Sequence, residues 1–229
     1  MFIDLNNLMQ LTKSIWNRNC SLMIGAGFSR NANLYPDGVH KPPLWDDLKV
    51  KFIEELYLDS SQREKINKNV LQIAQEYECF YGRLKLDDFL YENIKYKNYF
   101  PGKLHEKMLE LPWNDVFTTN YDDLLEKTRV NKKEYSIIRQ IEDIPLKKRP
   151  RIVKLHGSFP NPPYIITEED YRTYPRKYAP FVNSVQQSLL EDCLCLIGFS
   201  GTDPNFLSWT GWIRDNLGKN HQPIFMVGN

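Results

Sequence analysis

Apolar residues recur along the chain at two different periods, and the alternation of the two divides it into strands and helices. From Asp4 to Asn17, Leu5, Leu8, Met9, Ile15 and Trp16 fall near one face of a helix that Asp4 is placed to cap. Leu22 to Ile24 is a short apolar run that meets Gly25-Ala26-Gly27, the pattern of a buried strand turning sharply into a helix. A loop with Pro36, Gly38, Pro42 and Pro43 follows. Helical spacing then returns, first through Trp45, Leu48, Phe52 and Leu56, then through Val70, Ile73, Ala74 and Tyr77, then through Phe89, Leu90 and Ile94. No β signal of any length interrupts this stretch, so about 70 residues of helix separate the first strand from the second, more than an ordinary crossover requires. They predict a helical subdomain, about 34–110, packed on a sheet edge and covering the site. Pro101 to Leu111 closes it with a short helix.

The second half alternates. Val116 to Thr119 predicts a strand, Asn120 to Leu125 the opening of a helix, and Tyr135 to Arg139 a further strand. Pro145 to Arg151 reads as a basic, solvated connector. Ile152 to Leu155 is a strand, Tyr164 to Thr167 a short one before an acidic turn, and Pro180 to Leu189 a helix with proline at its start. Cys193 to Ile197 is the cleanest strand. Asp203-Pro204 then reads as a cap and first turn, Gly218 as a stop, and Pro223 to Val227 as a last strand. The order β-turn-α, helical insert, β-α-β-α-β predicts an α/β fold with a parallel sheet and helices on both faces.

Composition narrows the partners. The 229 residues carry 30 basic and 29 acidic side chains, a net charge of +1, which gives no electrostatic footprint for nucleic acid. No apolar run approaches the length of a membrane span, and the N-terminus lacks the basic start and apolar block of a signal peptide. The four cysteines, Cys20, Cys79, Cys193 and Cys195, form no C-x-x-C pair. Buried free thiols in a reducing cytoplasm are the simple reading, with neither a zinc knuckle nor a disulfide framework.

Ligands of such sheets bind beyond the carboxyl ends of the strands, at the point where strand order reverses. Four strand ends here carry small or hydrogen-bonding clusters: GAGFS, TTNYDD, LHGS and IGFSGTDP. One shared crevice explains all four better than chance. A glycine turn of this kind can bring backbone N–H groups to a phosphate. Asn120 can donate and accept at once, and suits a water or sugar hydroxyl or, equally, a helix N-cap. His156 is a candidate general base because imidazole titrates near neutral pH, although a lone histidine is more often a packed core residue. Asp122 is placed to stabilise a first helical turn, and Asp203 reads as an N-cap. Phe28 and Tyr121 are expected to pack, and His40, His105 and His221 to be surface or packing residues.

In this order and spacing, GAGFS, TTNYD, KLHGS and GFSGTD resemble the sirtuin family, and most of all the branch of sirtuin-like domains found in bacterial anti-phage defence proteins. The resemblance runs from Leu22 to Val227 and implies a Rossmann-like fold that binds NAD. It implies catalytic roles for Asn120 and His156, a diphosphate cradle at Gly25, Ala26, Gly27 and Ser29 with Phe28 beside it, and contact between Asp122 and the nicotinamide carboxamide. Gly198, Ser200 and Asp203 are implied at the adenosine half or its phosphates. The chain departs from the sirtuin deacylases in two places. No Asp-Phe-Arg follows Ser29, and the two cysteine pairs that hold the deacylases' structural zinc are missing, so no zinc is expected. Both departures favour NAD cleavage to nicotinamide and ADP-ribose, as in the defence branch, over NAD-dependent protein deacylation. A non-catalytic NAD or ADP-ribose sensor is the remaining alternative. The resemblance also implies an N-terminal position in a longer protein, an attached sensor or oligomerisation domain or a separate ATPase partner, and a homo-oligomer when active.

Overall fold

A computed structural model describes residues 4–36, 41–63, 65–131, 133–146 and 148–228. His40, and Gly38 of the proline-rich loop, lie outside the described residues. In chain order the helices are α1 (Leu5–Trp16), α2 (Ala26–Ser29), α3 (Trp45–Leu56), α4 (Ser60–Arg63), α5 (Val70–Tyr81), α6 (Arg83–Ile94), α7 (Lys103–Glu110), α8 (Leu124–Lys127), α9 (Glu168–Lys177), α10 (Ala179–Glu191) and α11 (Pro204–Leu217). The strands are β1 (Cys20–Ile24), β2 (Asn33–Leu34), β3 (Tyr99–Phe100), β4 (Asp115–Thr118), β5 (Ser136–Ile138), β6 (Arg151–Lys154), β7 (Cys193–Ile197) and β8 (Ile224–Val227).

Six strands form one parallel sheet in the order β5-β6-β4-β1-β7-β8. The chain leaves β1 toward β4 on one side and reaches β7 on the other, so strand order reverses at β1 and the crevice of such folds opens beyond it. Alternation along the strands sorts their side chains onto two faces. Met23, Phe117, Val153, Leu194 and Leu196 pack under α9, α10 and α11 with Tyr174, Phe181, Val185 and Trp209. Leu22, Ile24, Val116, Ile152 and Cys195 pack on the other face with Leu11, Ile15, Leu109 and Trp113, from α1, α7 and the turn after α7. This is the doubly wound, Rossmann-like arrangement.

The helical insert has its own core. Phe52 stacks on Phe89 at 3.9 Å between ring centroids, and Leu48, Ile73, Tyr77, Leu86 and Leu90 surround them. That cluster is continuous with Tyr121, Phe159 and Tyr164 from the strand ends, which seats the insert over the carboxyl edge of the sheet. The insert ends earlier than 110, because α7 buries Leu109 against β1 and belongs to the sheet.

Several local expectations hold. Asp4 caps α1 through Asn6 N at 2.9 Å, Asp203 caps α11 through Phe206 N at 3.0 Å with Pro204 behind it, and Gly218 ends α11 at φ +57°. Others do not. Residues 164–167 are no strand. Ile165 N donates to His156 O at 3.0 Å, while Ile166 N and Thr167 N both donate to Asp170 Oδ2 at 3.1 Å, so a capping carboxylate takes the place of a neighbouring strand. On α1, Leu11 and Ile15 are buried while Leu5, Leu8, Met9 and Trp16 stay exposed. The pair β2–β3, two residues each, is too short to show as an alternating pattern. Cys20, Cys193 and Cys195 are buried, but Cys79 is exposed on α5. In the basic connector, Arg149 and Arg151 are held by the buried Asp115, at 3.1 and 2.7 Å, and Arg151 opens β6.

Candidate functional site

The glycine turn after β1 packs against the turn after β7. Gly25 N donates to Ile197 O at 3.2 Å and Gly27 N to Gly198 O at 2.9 Å. A Cβ on Gly25 would stand 2.6 Å from Gly198 O, and one on Gly198, whose φ is +59°, would stand 2.1 Å from Phe28 N. The backbone that these glycines admit is therefore that of the neighbouring strand end. The N–H groups of Gly25 and Gly27 bond within the protein, and Ala26 and Ser29 are the members of the turn that line a cleft. Phe28 points away into the core, with its ring 4.7 Å from that of His105.

Across the cleft stands the turn after β4. Thr118 Oγ1 donates to Ile24 O at 3.0 Å and so ties β4 to β1 at their ends. It also accepts from Asn120 N at 3.1 Å. Asn120 Nδ2 donates to Ser29 Oγ at 2.9 Å, and Ser29 Oγ donates in turn to Asp122 Oδ2 at 2.7 Å. Three polar residues from two strand ends thus form one directed chain. Asn120 caps no helix; Asp123 opens α8, and Leu124 N donates to Asp122 Oδ1 at 3.2 Å. The remaining wall comes from Pro42, Pro43, Leu44, Trp45 and Leu48 at the start of α3, together with Ile94. The cleft so lined is narrow and opens to solvent. Tyr121 packs instead. Its hydroxyl donates to Ile165 O at 2.7 Å and its ring meets Trp45, Phe159 and Tyr164.

The parallel register sets Thr118 of β4 beside Lys154 of β6, and Leu155 N donates to Thr118 O at 2.9 Å. Asn120 and His156 each lie two residues beyond that pair, so they emerge from neighbouring strands at the same edge. Their side chains part company there. Asn120 faces the cleft, while His156 is wholly buried and does not line it. The imidazole lies between Tyr171 and Tyr174, edge to face at 5.2 and 5.5 Å. Its Nδ1 is 3.5 Å from Tyr171 Oη and its Nε2 is 3.3 Å from Asn205 Nδ2. Burial pushes its pKa below the ordinary 6.5, with the nearby carboxylates of Asp203 and Asp170 opposing that shift, so the ring is held neutral near pH 7. Tyr171 Oη donates to Asp203 Oδ2 at 2.8 Å, which joins His156 to Asp203. Ser200 bonds Thr202 at 2.8 Å in an exposed turn and touches neither group.

Lys154, Tyr171 and Asn205 escape a reading by motif. Lys154 is 1 % exposed; its Nζ donates to Asp122 O and lies 3.3 Å from Glu126 Oε1, so it ties the Asn120–Asp122 turn to the strand that carries His156. A lysine inside an apolar strand was the available signal. Nothing local distinguishes Tyr171 or Asn205 from ordinary helix residues. Of the other histidines, His105 is buried beside Phe28 and His221 lies near the surface before β8. Among the described residues there is no group of three or more His, Cys, Asp or Glu side chains placed to hold a metal ion. Nor is any described helix long and apolar enough to cross a membrane.

Residues 114–229 match the family model of the SIR2-like domain. The chain is 26% identical over 223 residues to the NAD(+) hydrolase ThsA of Acinetobacter baumannii, covering 95% of this chain and 44% of that protein. It is 24% identical over 206 residues to the NAD(+) hydrolase ThsA of Bacillus cereus, covering 86% and 40%. With the defense-associated sirtuin 2 of Bacillus subtilis it shares 26% identity over 244 residues, covering 99% and 23%. The chain thus spans less than half the length of each of these relatives.

Proposed function

The chain belongs to the SIR2-like family, and from that premise we propose that it is an NAD(+) hydrolase domain, with NAD as substrate and nicotinamide and ADP-ribose as products. The observation that carries this reading is the directed chain Asn120–Ser29–Asp122 at the strand ends beside the point where strand order reverses. The names of the relatives agree with it.

The reaction breaks the bond between the nicotinamide nitrogen and the ribose and adds water across it, releasing one proton. The leaving group departs neutral from a cationic pyridinium, so no strong acid is needed, and the transition state has oxocarbenium character. The protein's task is to hold the sugar, orient the leaving ring and accept the proton. In our reading Asn120 binds the water or a ribose hydroxyl, Asp122 receives the carboxamide, and Ala26 and Ser29 lie along the diphosphate. Gly25, Gly27 and Gly198 keep the two turns close enough to make that wall. His156, held neutral, takes the proton. In this reading the nucleotide enters the narrow cleft between Ala26, Ser29 and the segment from Pro42 to Leu48, and binding brings the sugar toward His156. Asp203 and Ser200 have weaker claims to the adenosine half, since Asp203 is already engaged at both oxygens.

The same reading makes the domain the effector of an anti-phage defence system that depletes cytoplasmic NAD. In it the domain works beside a sensor or oligomerisation domain or with a separate ATPase partner, and assembles into a homo-oligomer when active. Incubation with NAD, with nicotinamide followed by chromatography, tests the chemistry. Release is expected from the wild-type chain, with a loss of at least about 100-fold in Asn120→Ala and in His156→Ala. Equal release by all three proteins removes the assigned roles. Thermal stabilisation by NAD without turnover favours a sensor instead.

A further inference from the structure

The hydrogens around His156 can be counted. Tyr171 Oη carries one, and it is committed to Asp203 Oδ2 at 2.8 Å. The same oxygen, 3.5 Å from His156 Nδ1, therefore meets the ring only as an acceptor. On the opposite side stands Asn205 Nδ2, 3.3 Å from Nε2, and an amide nitrogen only donates. The two contacts come from different helices, α9 and α11, and require the same neutral imidazole, with its hydrogen on Nδ1 and its lone pair on Nε2. Both distances are at the long end, as is common in sites without substrate. Asp203 divides its oxygens between two tasks: Oδ1 accepts from Phe206 N at 3.0 Å and caps α11, while Oδ2 holds Tyr171. The carboxylate is thereby fixed to the helix end and orients the hydroxyl.

Resting on the NAD(+) hydrolase reading, we propose that Tyr171 and Asp203 are positioning residues that fix the tautomer of His156 and make Nε2 its proton-accepting atom. When water or a ribose hydroxyl is deprotonated, its proton goes to the Nε2 lone pair and the Nδ1 hydrogen stays where it was. The imidazolium so formed leans through Nδ1–H on the tyrosine oxygen, whose own hydrogen remains on Asp203. No second proton moves. Asp203 thus acts through Tyr171 on the base, and Asn205 occupies Nε2 in the absence of substrate.

Two measurements on the 229-residue chain test this. The first is nitrogen NMR of protein labelled with [15N]histidine, with His156→Ala identifying the His156 signals among the four histidines. Wild type should show the hydrogen on Nδ1; a hydrogen on Nε2 overturns the assignment. The second is the kinetics of nicotinamide release in Tyr171→Phe, which keeps the ring and removes the hydroxyl. The expected result is a kcat lower by about 10- to 100-fold with KM for NAD within about twofold of wild type. Undiminished kcat, or a loss confined to KM, removes the positioning role. Should Tyr171→Phe fail to fold, Asp203→Asn, which keeps a capping side chain, is expected to show the same kcat loss. A wild-type chain that releases no nicotinamide counts against the hydrolase reading, while the NMR signals still decide where the hydrogen sits.

Discussion

At the scale of single residues, the site depends on how burial has treated its histidines. His156 and His105 are both nearly inaccessible, and burial lowers the pKa of each from 6.5. A histidine with a depressed native pKa binds its proton more readily in the unfolded chain. Below about pH 6.5 the unfolded state therefore takes up protons that the native state refuses, and stability falls with pH until the depressed native value is passed. Urea midpoints should drop between pH 7 and pH 5, and His156→Gln should flatten the slope. A midpoint independent of pH over that range contradicts the buried neutral ring. The same depression extends the neutral, basic form of His156 to pH values at which a free imidazole is protonated.

At the scale of elements, the decisive contact is between two turns rather than between a turn and a ligand. The end of β1 and the end of β7 touch backbone to backbone, through Gly25, Gly27 and Gly198. Gly198→Ala combines a positive φ with a 2.1 Å approach to Phe28 N, and neither relaxes without separating the strands. A loss of about 2 kcal/mol or more is expected from denaturant unfolding. Because Ser29 sits on the displaced turn, its link to Asn120 should break and nicotinamide release should fall with it. A Gly198→Ala protein of wild-type stability shows that the turns do not meet as described. Lys154 does similar work between β6 and the β4–α8 turn, where it leaves neither Asp122 O nor Glu126 Oε1 without a partner.

At the scale of the whole molecule, the insert is joined to the sheet both by the apolar cluster it shares with Tyr121, Phe159 and Tyr164 and by polar anchors. Arg83, at the start of α6, reaches Asp170 at 2.9 Å on α9 as well as Tyr164 O, Asp87 and Glu78. Asp170 also receives the N–H groups of Ile166 and Thr167, so one guanidinium couples the insert to the segment that leads into Tyr171. Arg83→Met should raise hydrogen exchange in α5 and α6 while β1, β4 and β7 stay protected. Uniform exchange changes across insert and sheet contradict a local anchor. Since α3 supplies part of the cleft wall, the same variant is expected to alter KM for NAD more than kcat.

The sequence by itself determined the parallel α/β sheet, the long helical interruption after the first strand, the caps at Asp4 and Asp203, and the clustering of polar residues at four strand ends. Those are local quantities: period, turn chemistry and chain order report directly on which backbone conformations can be satisfied. Only the tertiary structure decided what the residues at those ends touch. It spent the glycine N–H groups on a neighbouring turn, turned Phe28 into the core, put α7 with the sheet, and exposed Leu5, Leu8, Met9 and Trp16 on α1, where the apolar pattern predicts a buried face. It also joined His156 to Tyr171 on α9 and to Asp203 and Asn205 at the start of α11, two segments distant from it and from each other in the chain. The reason is that a hydrogen bond between distant segments leaves no period in either of them. Its partners are selected by the space that remains once the strands have paired and the helices have packed.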